Sequence, residues 1–421
     1  MSAIVTAPHT FTTSWNTSTP IEGVLLQFPG RVFINQNPSL KAAARVVISS
    51  DSQAVVDLFA FNATKAVGDS INAGCNRRYA IDRANQTYLD VSVASAVNAH
   101  AAGSLLVLIT VQKPVSWVKS TADTVVVSGA LVNGPSKFVS ITSLGAGNIT
   151  TTAKYPVTLS NLTLSTTGTG KVQFAATTTF NTTAGVSLVI AGPGSVALQA
   201  GRTLNIPNLT TTVTGSGSVF VTTNGTLTAQ NIKTYLFGSG NVSYYPARGS
   251  TVNNTINLFK SGHVYTGSVL AQNATVAVSG AGGVVVQVND TLTTSIDGAG
   301  SVAYYNKTVN PVHVSKPKGW WVFTSSSAVA TTNNTFNVYK SVAEPAKVPL
   351  NVTIDLNQTL FSRCFVQRFE TAVDTTALSS TISSPQDVAS VACVALALLA
   401  LVVLAIFKGK LRTKGYTALP K

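Results

Sequence analysis

At 421 residues, with 45% hydrophobic and only 10% charged residues, the chain has material for a large core and is not a soluble disordered polymer. Its formal charge of +14 (28 Lys and Arg against 14 Asp and Glu) excludes little by itself: Lys408, Lys410, Arg412, Lys414 and Lys421 crowd the last fourteen positions, and no Arg/Lys cluster with interleaved aromatics marks a nucleic-acid partner. A composition rich in Thr, Ser, Asn, Val and Gly, with three glutamates (Glu22, Glu344 and Glu370), predicts a β-rich surface protein.

Residues 1–27 read as an N-terminal segment. From Val24 to Phe61 the apolar runs VLLQF, RVFI, ARVVIS and AVVDLFAF are broken by turn formers such as Pro29-Gly30 and Asn37-Pro38, which predicts short strands. Val67 to Gln86 reads as a loop holding Cys75 and the basic residues Arg77, Arg78 and Arg83. TYLDVSV and SLLVLITVQ resume the strands and lead into DTVVVSGALV.

Between Leu144 and Asn306 the chain repeats. Gly-x-Gly steps begin at Gly145, Gly168, Gly192, Gly215, Gly238, Gly280 and Gly298, and Lys260-Ser261-Gly262 fills the one wide gap; the spacings are 23, 24, 23, 23, 22, 20 and 18. A period of this length is one coil of a solenoid, whose apolar edge closes only by stacking on a neighbour. The runs after the glycines, SVFVT, NVSYY, GVVVQV and SVAYY, are β-branched or aromatic and lack helical periodicity. Glycine at each step predicts φ > 0 and close stacking of corners. The fold class is therefore all-β, a right-handed parallel β-helix or solenoid of about 18–24 residues per coil, spanning 28–310.

These segments, SGAGGVVVQV and DGAGSVAYYN above all, resemble the putative auto-transporter adhesin, head GIN domain family. The resemblance runs from about Phe28 to Asn310 and is strongest over 237–306. It implies a stacked β-solenoid and an adhesin-like role, and it carries over no catalytic residue.

Residues 311–370 read as a capping and β region in which Trp320-Trp321-Val322-Phe323 covers the open end of the solenoid, with an aromatic platform for sugars as the other use. A Ser/Thr-rich stalk follows at 371–387. Val388 to Phe407 is twenty uncharged residues, enough for one transmembrane helix, and the KGKLR flank places the tail 408–421 in the cytoplasm. Basic residues after the span disfavour a GPI anchor. Tyr416-Thr417-Ala418-Leu419 fits a sorting signal, as in a surface receptor.

Asn-x-Ser/Thr sequons begin at Asn16, Asn62, Asn85, Asn148, Asn161, Asn181, Asn208, Asn224, Asn241, Asn253, Asn273, Asn289, Asn306, Asn333, Asn351 and Asn357, sixteen in all. Chance at this Ser/Thr content gives roughly six, so the excess agrees with the charge flank on an outward-facing glycoprotein. The start, MSAIVTAPHTFTTSWNTS, shows no signal peptide; the expectation is a truncated start, with a tail-anchored cytoplasmic protein as the alternative.

Chemistry is sparse. Cys75 and Cys364 are the two external thiols and a possible disulfide, free buried cysteines being the alternative; Cys393 falls in the span. His9, His100, His263 and His313 are scattered, and no HExxH, CxxC or GxSxG pattern occurs. A polysaccharide lyase or hydrolase needs converging carboxylates, and between Thr124 and Pro311 the acids are Asp290 and Asp297. No metal or cofactor site is expected. The reading is a single-pass cell-surface glycoprotein, non-catalytic, with an adhesive or structural ectodomain that meets extracellular glycans or surface proteins; a polysaccharide-active enzyme is the runner-up. In this reading one tyrosine of each pair, Tyr244-Tyr245 and Tyr304-Tyr305, points inward and leaves the other on a bare face.

Overall fold

The computed structural model describes residues 10–65, 86–93, 100–305, 313–315 and 328–355. All of them belong to one compact unit, Met1–Thr371; Ala372–Lys421 is a second. Cys75, Cys364, the Trp320–Phe323 patch, the stalk, the span at 388–407, the tail and the sequons at Asn85, Asn306 and Asn357 lie outside the described residues. Among the described residues no helix is long and apolar enough to cross a membrane.

The base is built from β1 (Phe11–Thr17), β2 (Gly23–Gln27), β3 (Arg31–Gln36), β4 (Ala44–Ser50), β5 (Phe59–Lys65), β6 (Thr87–Val93), β7 (His100–Val111), β8 (Trp117–Ser120) and β9 (Asp123–Val126). The regular coils use β10 (Phe138–Ser143), β11 (Ile149–Ala153), β12 (Val157–Thr166), β13 (Lys171–Ala176), β14 (Thr179–Ile190), β15 (Ser195–Ala200), β16 (Thr203–Val213) and β17 (Ser218–Thr223). They continue through β18 (Thr226–Leu236), β19 (Asn241–Tyr244), β20 (Arg248–Leu258), β21 (His263–Ser279), β22 (Gly283–Asp297) and β23 (Ser301–Tyr305). Short strands β24 (His313–Ser315), β25 (Val329–Thr331) and β26 (Leu350–Asp355) follow.

Two parallel ladders make the solenoid. The long-strand ladder runs β8, β10, β12, β14, β16, β18, β20, then the second halves of β21 and β22. The short-strand ladder, formed by the runs that follow the glycine steps, goes β9, β11, β13, β15, β17, β19, the first halves of β21 and β22, then β23. Coil length is read from one stacked column: Val172 sits on Val196, 24 residues on, and Val284 on Val302, 18 residues on. The later coils shorten because β21 and β22 turn from one ladder into the other without a break.

Strand alternation sends Val172, Val196, Val219, Val242, Val264 and Val284 into a dry interior, each burial being worth about 1.5–3 kcal/mol. The interior also holds polar groups in the middle coils. Tyr244 is wholly buried, and its hydroxyl donates to Thr211 Oγ1 at 2.7 Å and meets Thr234 Oγ1 at 2.9 Å. Burial pushes that hydroxyl up to about 12, against the lowering effect of its two threonine partners.

The glycine corners work by close approach more than by torsion. A Cβ on Gly217 would fall on the Gly194 carbonyl oxygen, one on Gly240 on that of Gly217, and one on Gly262 on that of Gly240. Of the step glycines only Gly280 (φ 142°) and Gly298 (φ 108°) adopt positive φ, so the expectation of φ > 0 at every step is corrected. Elsewhere it is the missing side chain that matters, because successive carbonyls stack where a β-carbon would sit.

The base departs from chain order. The β2–β3 coil lies between β6–β7 and β8–β9, since β2 pairs in parallel with both β6 and β8, and β3 with both β7 and β9. Antiparallel strands cover this end: β5 on β6, β4 on β7, and β1 on β4. Such a cap leaves no bare parallel edge there. Within AVVDLFAF, expected as strand, Gln53–Asp57 forms a short helix, α1, that buries Val55 and Val56, and Gln53 Nε2 donates to Asp57 Oδ1 at 2.6 Å.

Candidate functional site

Ligands of a solenoid meet its outward rows, and the two ladders present different ones. Outward positions of the short-strand ladder are Thr150, Gln173, Ala197, Phe220, Ser243 and Tyr265, and two residues on Gln199, Thr222 and Tyr245. A returning segment, 333–349, lies across them without forming a strand. Asn334 Nδ2 donates to Ser268 Oγ (3.0 Å), Asn337 N to Ser243 Oγ (3.2 Å) and Tyr339 N to the Tyr245 hydroxyl (2.9 Å). Phe336 stacks on Tyr245 with centroids 5.2 Å apart, and Tyr339 packs on Phe220 at 5.1 Å. Gln173 pairs with the backbone of Val342 in both directions, Nε2 to O at 3.2 Å and N to Oε1 at 2.8 Å. Arg31 reaches the carbonyls of Ala346 and Val348. The segment ends as β26, antiparallel to the first half of β7.

At the first tyrosine pair, Tyr244-Tyr245, this strap corrects the expectation of a bare face. Tyr244 points inward as alternation requires, while Tyr245 is covered by Phe336 and Tyr339. Burial raises the Tyr245 hydroxyl, and that of Tyr339 is pushed up to about 12, first by burial and then by Tyr245.

Among the described residues no segment lies across the long-strand ladder. One outward row reads Ser140, Thr163, Ser187, Thr210, Lys233, Thr255 and Thr275, and the next Thr142, Ser165, Val189, Thr212, Tyr235, Asn257, Ala277 and Ser295. Rungs repeat about every 4.8 Å, so these hydroxyls stand at near-constant spacing. Where this ladder turns toward the glycine corner, Phe237 and Phe259 stack at 4.7 Å with planes 4° apart.

Thirteen of the sequon asparagines lie among the described residues, and none is buried: Asn16, Asn62, Asn208, Asn224, Asn253, Asn289, Asn333 and Asn351 are exposed, and Asn148, Asn161, Asn181, Asn241 and Asn273 half-buried. Asn254, the neighbour that is not itself a sequon, is buried and donates to Thr266. Asn161, Asn208, Asn253 and Asn273 edge the open ladder, where Asn208, Asn231 and Asn253 form an amide ladder with 3.0 Å steps. None of the thirteen falls in the two hydroxyl rows.

The candidate catalytic carboxylates do not meet. Asp290 and Asp297 are exposed at opposite ends of one limb of β22, so strand rise sets them about 20 Å apart, against the roughly 5–9.5 Å that glycosidases use. Asp90, on β6, is a carboxyl that burial raises, and its Oδ1 has no hydrogen-bond partner. Nearby, Tyr88 packs on Trp117, whose Nε1 donates to Gln86. Among the described residues no three His, Cys, Asp or Glu side chains gather as a metal site. A small void of about 20 Å³ lies by Val127–Asn133 and is lined mainly by apolar groups such as Val139, Leu159 and Phe174.

Residues 187–308 match the family model described as "Putative auto-transporter adhesin, head GIN domain". The resemblance seen in the repeat thus holds, over a shorter span than 28–310. No curated protein matches the chain. A crystal structure of a putative lipid binding protein from Parabacteroides distasonis ATCC 8503 is similar at 15% identity, covering 77% of this chain and 97% of that one, with a TM-score of 0.34. Putative adhesins from Parabacteroides distasonis ATCC 8503 (12% identity, 77% and 94% covered, TM-score 0.32) and Parabacteroides merdae ATCC 43184 (11%, 76% and 94%, 0.32) are similar in the same way. These likenesses are too distant to bring a ligand across.

Proposed function

We propose that the chain is a single-pass cell-surface glycoprotein whose solenoid makes adhesive contacts through the open long-strand face. One observation carries the reading: every described sequon asparagine lies outside the core, and the two hydroxyl rows that remain free of sequons are also free of the strap. The adhesin-type family match over 187–308 supports an extracellular or cell-surface setting. The uncharged run at 388–407 anchors the protein in the plasma membrane with the KGKLR tail inside, and an oxidising exterior joins Cys75 to Cys364. The face meets surface glycans or proteins, and turnover is not part of its work.

Expression in eukaryotic cells behind a heterologous signal peptide tests the topology. Peptide N-glycosidase should then shift gel mobility by tens of kilodaltons, and no shift would sink the outward orientation. Beads coated with the protein should aggregate or bind cells without releasing reducing sugar. Sugar release abolished by Asp290→Asn or Asp297→Asn would replace adhesion with catalysis.

A further inference from the structure

The open face has a centre. Tyr235 and Phe237 stand two apart on one strand, with centroids 6.5 Å apart and planes 7° from parallel, and Phe259 of the next rung stacks on Phe237 at 4.7 Å with planes 4° apart. Phe237 and Phe259 remain 39% and 45% exposed, while the adjacent Leu236 and Leu258 are sealed in the core. In the rungs before and after, this position holds Thr214 and Ser279, so the ends of the stack open onto small hydroxyl residues rather than onto another ring.

Charge selects the ligand. From Thr124 to Tyr305 the coils carry seven Lys and Arg against two Asp. Two of the seven, Lys233 and Lys260, are exposed and lie on the two sides of the stack, Lys233 in the hydroxyl row and Lys260 next to Phe259. Asp297 stands two rungs beyond Phe259 in the same column and limits the site on that side. Exposed lysines with so few acids around them favour an anion within a Debye length. The two hydroxyl rows hold lysine and no arginine, the residue suited to bidentate phosphate contact, and their hydroxyls match a sugar polymer better than a nucleic acid.

Resting on the adhesive reading above, we propose that this stack and its lysines bind an extended anionic polysaccharide. A sugar ring lies on an open face of Phe259 or Phe237, its carboxylate or sulfate groups meet Lys233 and Lys260, and neighbouring sugars run along the hydroxyl rows at Thr212 and Thr255.

The test uses the full chain in detergent micelles, with polygalacturonate and dextran sulfate as immobilised probes, dextran as the neutral one and a single-stranded oligodeoxynucleotide as competitor. Retention on at least one anionic polymer and not on dextran is expected, with loss above about 0.5 M salt as charges are screened. Retention by polygalacturonate alone assigns carboxylate, and by dextran sulfate alone sulfate. Phe259→Ala should weaken binding about tenfold, Lys233→Gln with Lys260→Gln at least as much, and Asp297→Asn should tighten it a few fold. The lysine pair is exposed and carries the test should Phe259→Ala disturb the fold. Equal retention on dextran, indifference to both sets of variants, or equal competition by the oligonucleotide overturns the proposal. Aggregation of coated beads without retention on any polymer overturns it while leaving adhesion in place.

Discussion

The two outer faces are made by the same coils and the same alternation, yet they end in different states. On the short-strand face Gln173, Ala197 and Ser243 point away from the core and are nonetheless buried, because the strap lies over them. Ser187, Thr210 and Thr255 occupy equally outward positions on the long-strand face and stay partly exposed. Alternation decides which residues leave the interior. What a distant part of the chain lays over them decides which meet water.

The largest effect should come from removing the frame both faces share. Gly240→Val drives a branched side chain into the Gly217 carbonyl and should cost about 3 kcal/mol or more, whereas Ser239→Thr at the exposed middle of the same step should stay within about 0.5 kcal/mol. Equal melting temperatures for the two would dissolve the stacked-corner account. Next, Tyr339→Ala empties the ring seat on Phe220 and should cost about 3 kcal/mol, while Tyr235→Ala on the open face should cost under about 1 kcal/mol. Denaturant titration separates these values.

Alkali should sharpen the contrast. The hydroxyls of Tyr244 and Tyr339 are raised to about 12 in the folded protein, above the ordinary value of 10.0. A raised folded value means that stability is fully present below about pH 10 and drains away as pH climbs toward 12, by about 2 kcal/mol for the fully buried Tyr244. Tyr339→Phe should remove part of that alkaline loss, and an unchanged pH profile would count against the covered face. The smallest effect is at Gln173→Ala, which leaves the backbone of Val342 without its amide partner and should cost about 1 kcal/mol, while Thr163→Ala is near neutral. Limited proteolysis should cut within 333–349 faster in the Gln173 variant than in the parent.

Much of the coil was legible because its period is written in glycine: the runs SVFVT, NVSYY and SVAYY open β17, β19 and β23. The base was not, since runs such as VLLQF reveal a strand without naming its neighbour, and β2 takes β6 and β8 from much later in the chain. The helix at Gln53–Asp57 hid in an apolar run too short for periodicity to choose between strand and helix. Residues 333–349 lack any repeat, and their contacts, from Ser268 down to Arg31, mix backbone groups, polar side chains and rings at irregular spacing, which leaves little trace in sequence. For the aromatic stack a signal existed: Leu236-Phe237-Gly238 and Leu258-Phe259-Lys260 stand at one phase of the repeat, and equal phase in a solenoid means contact.

The strap also decides how the molecule would carry load. Because it brings the chain back to β7, tension arriving through Asp355 enters at the oldest-stacked end of the coils, and the upper rungs bear none of it while β26 holds. Should β26 shear away, the strap peels in sequence from Arg31, Gln173, Gln199, Ser243 and Ser268, paying out about 3.4 Å of slack per residue freed. Each release would break a few hydrogen bonds and, at Tyr339 and Phe336, a ring contact, so under load the segment would give way stepwise before any coil unwinds.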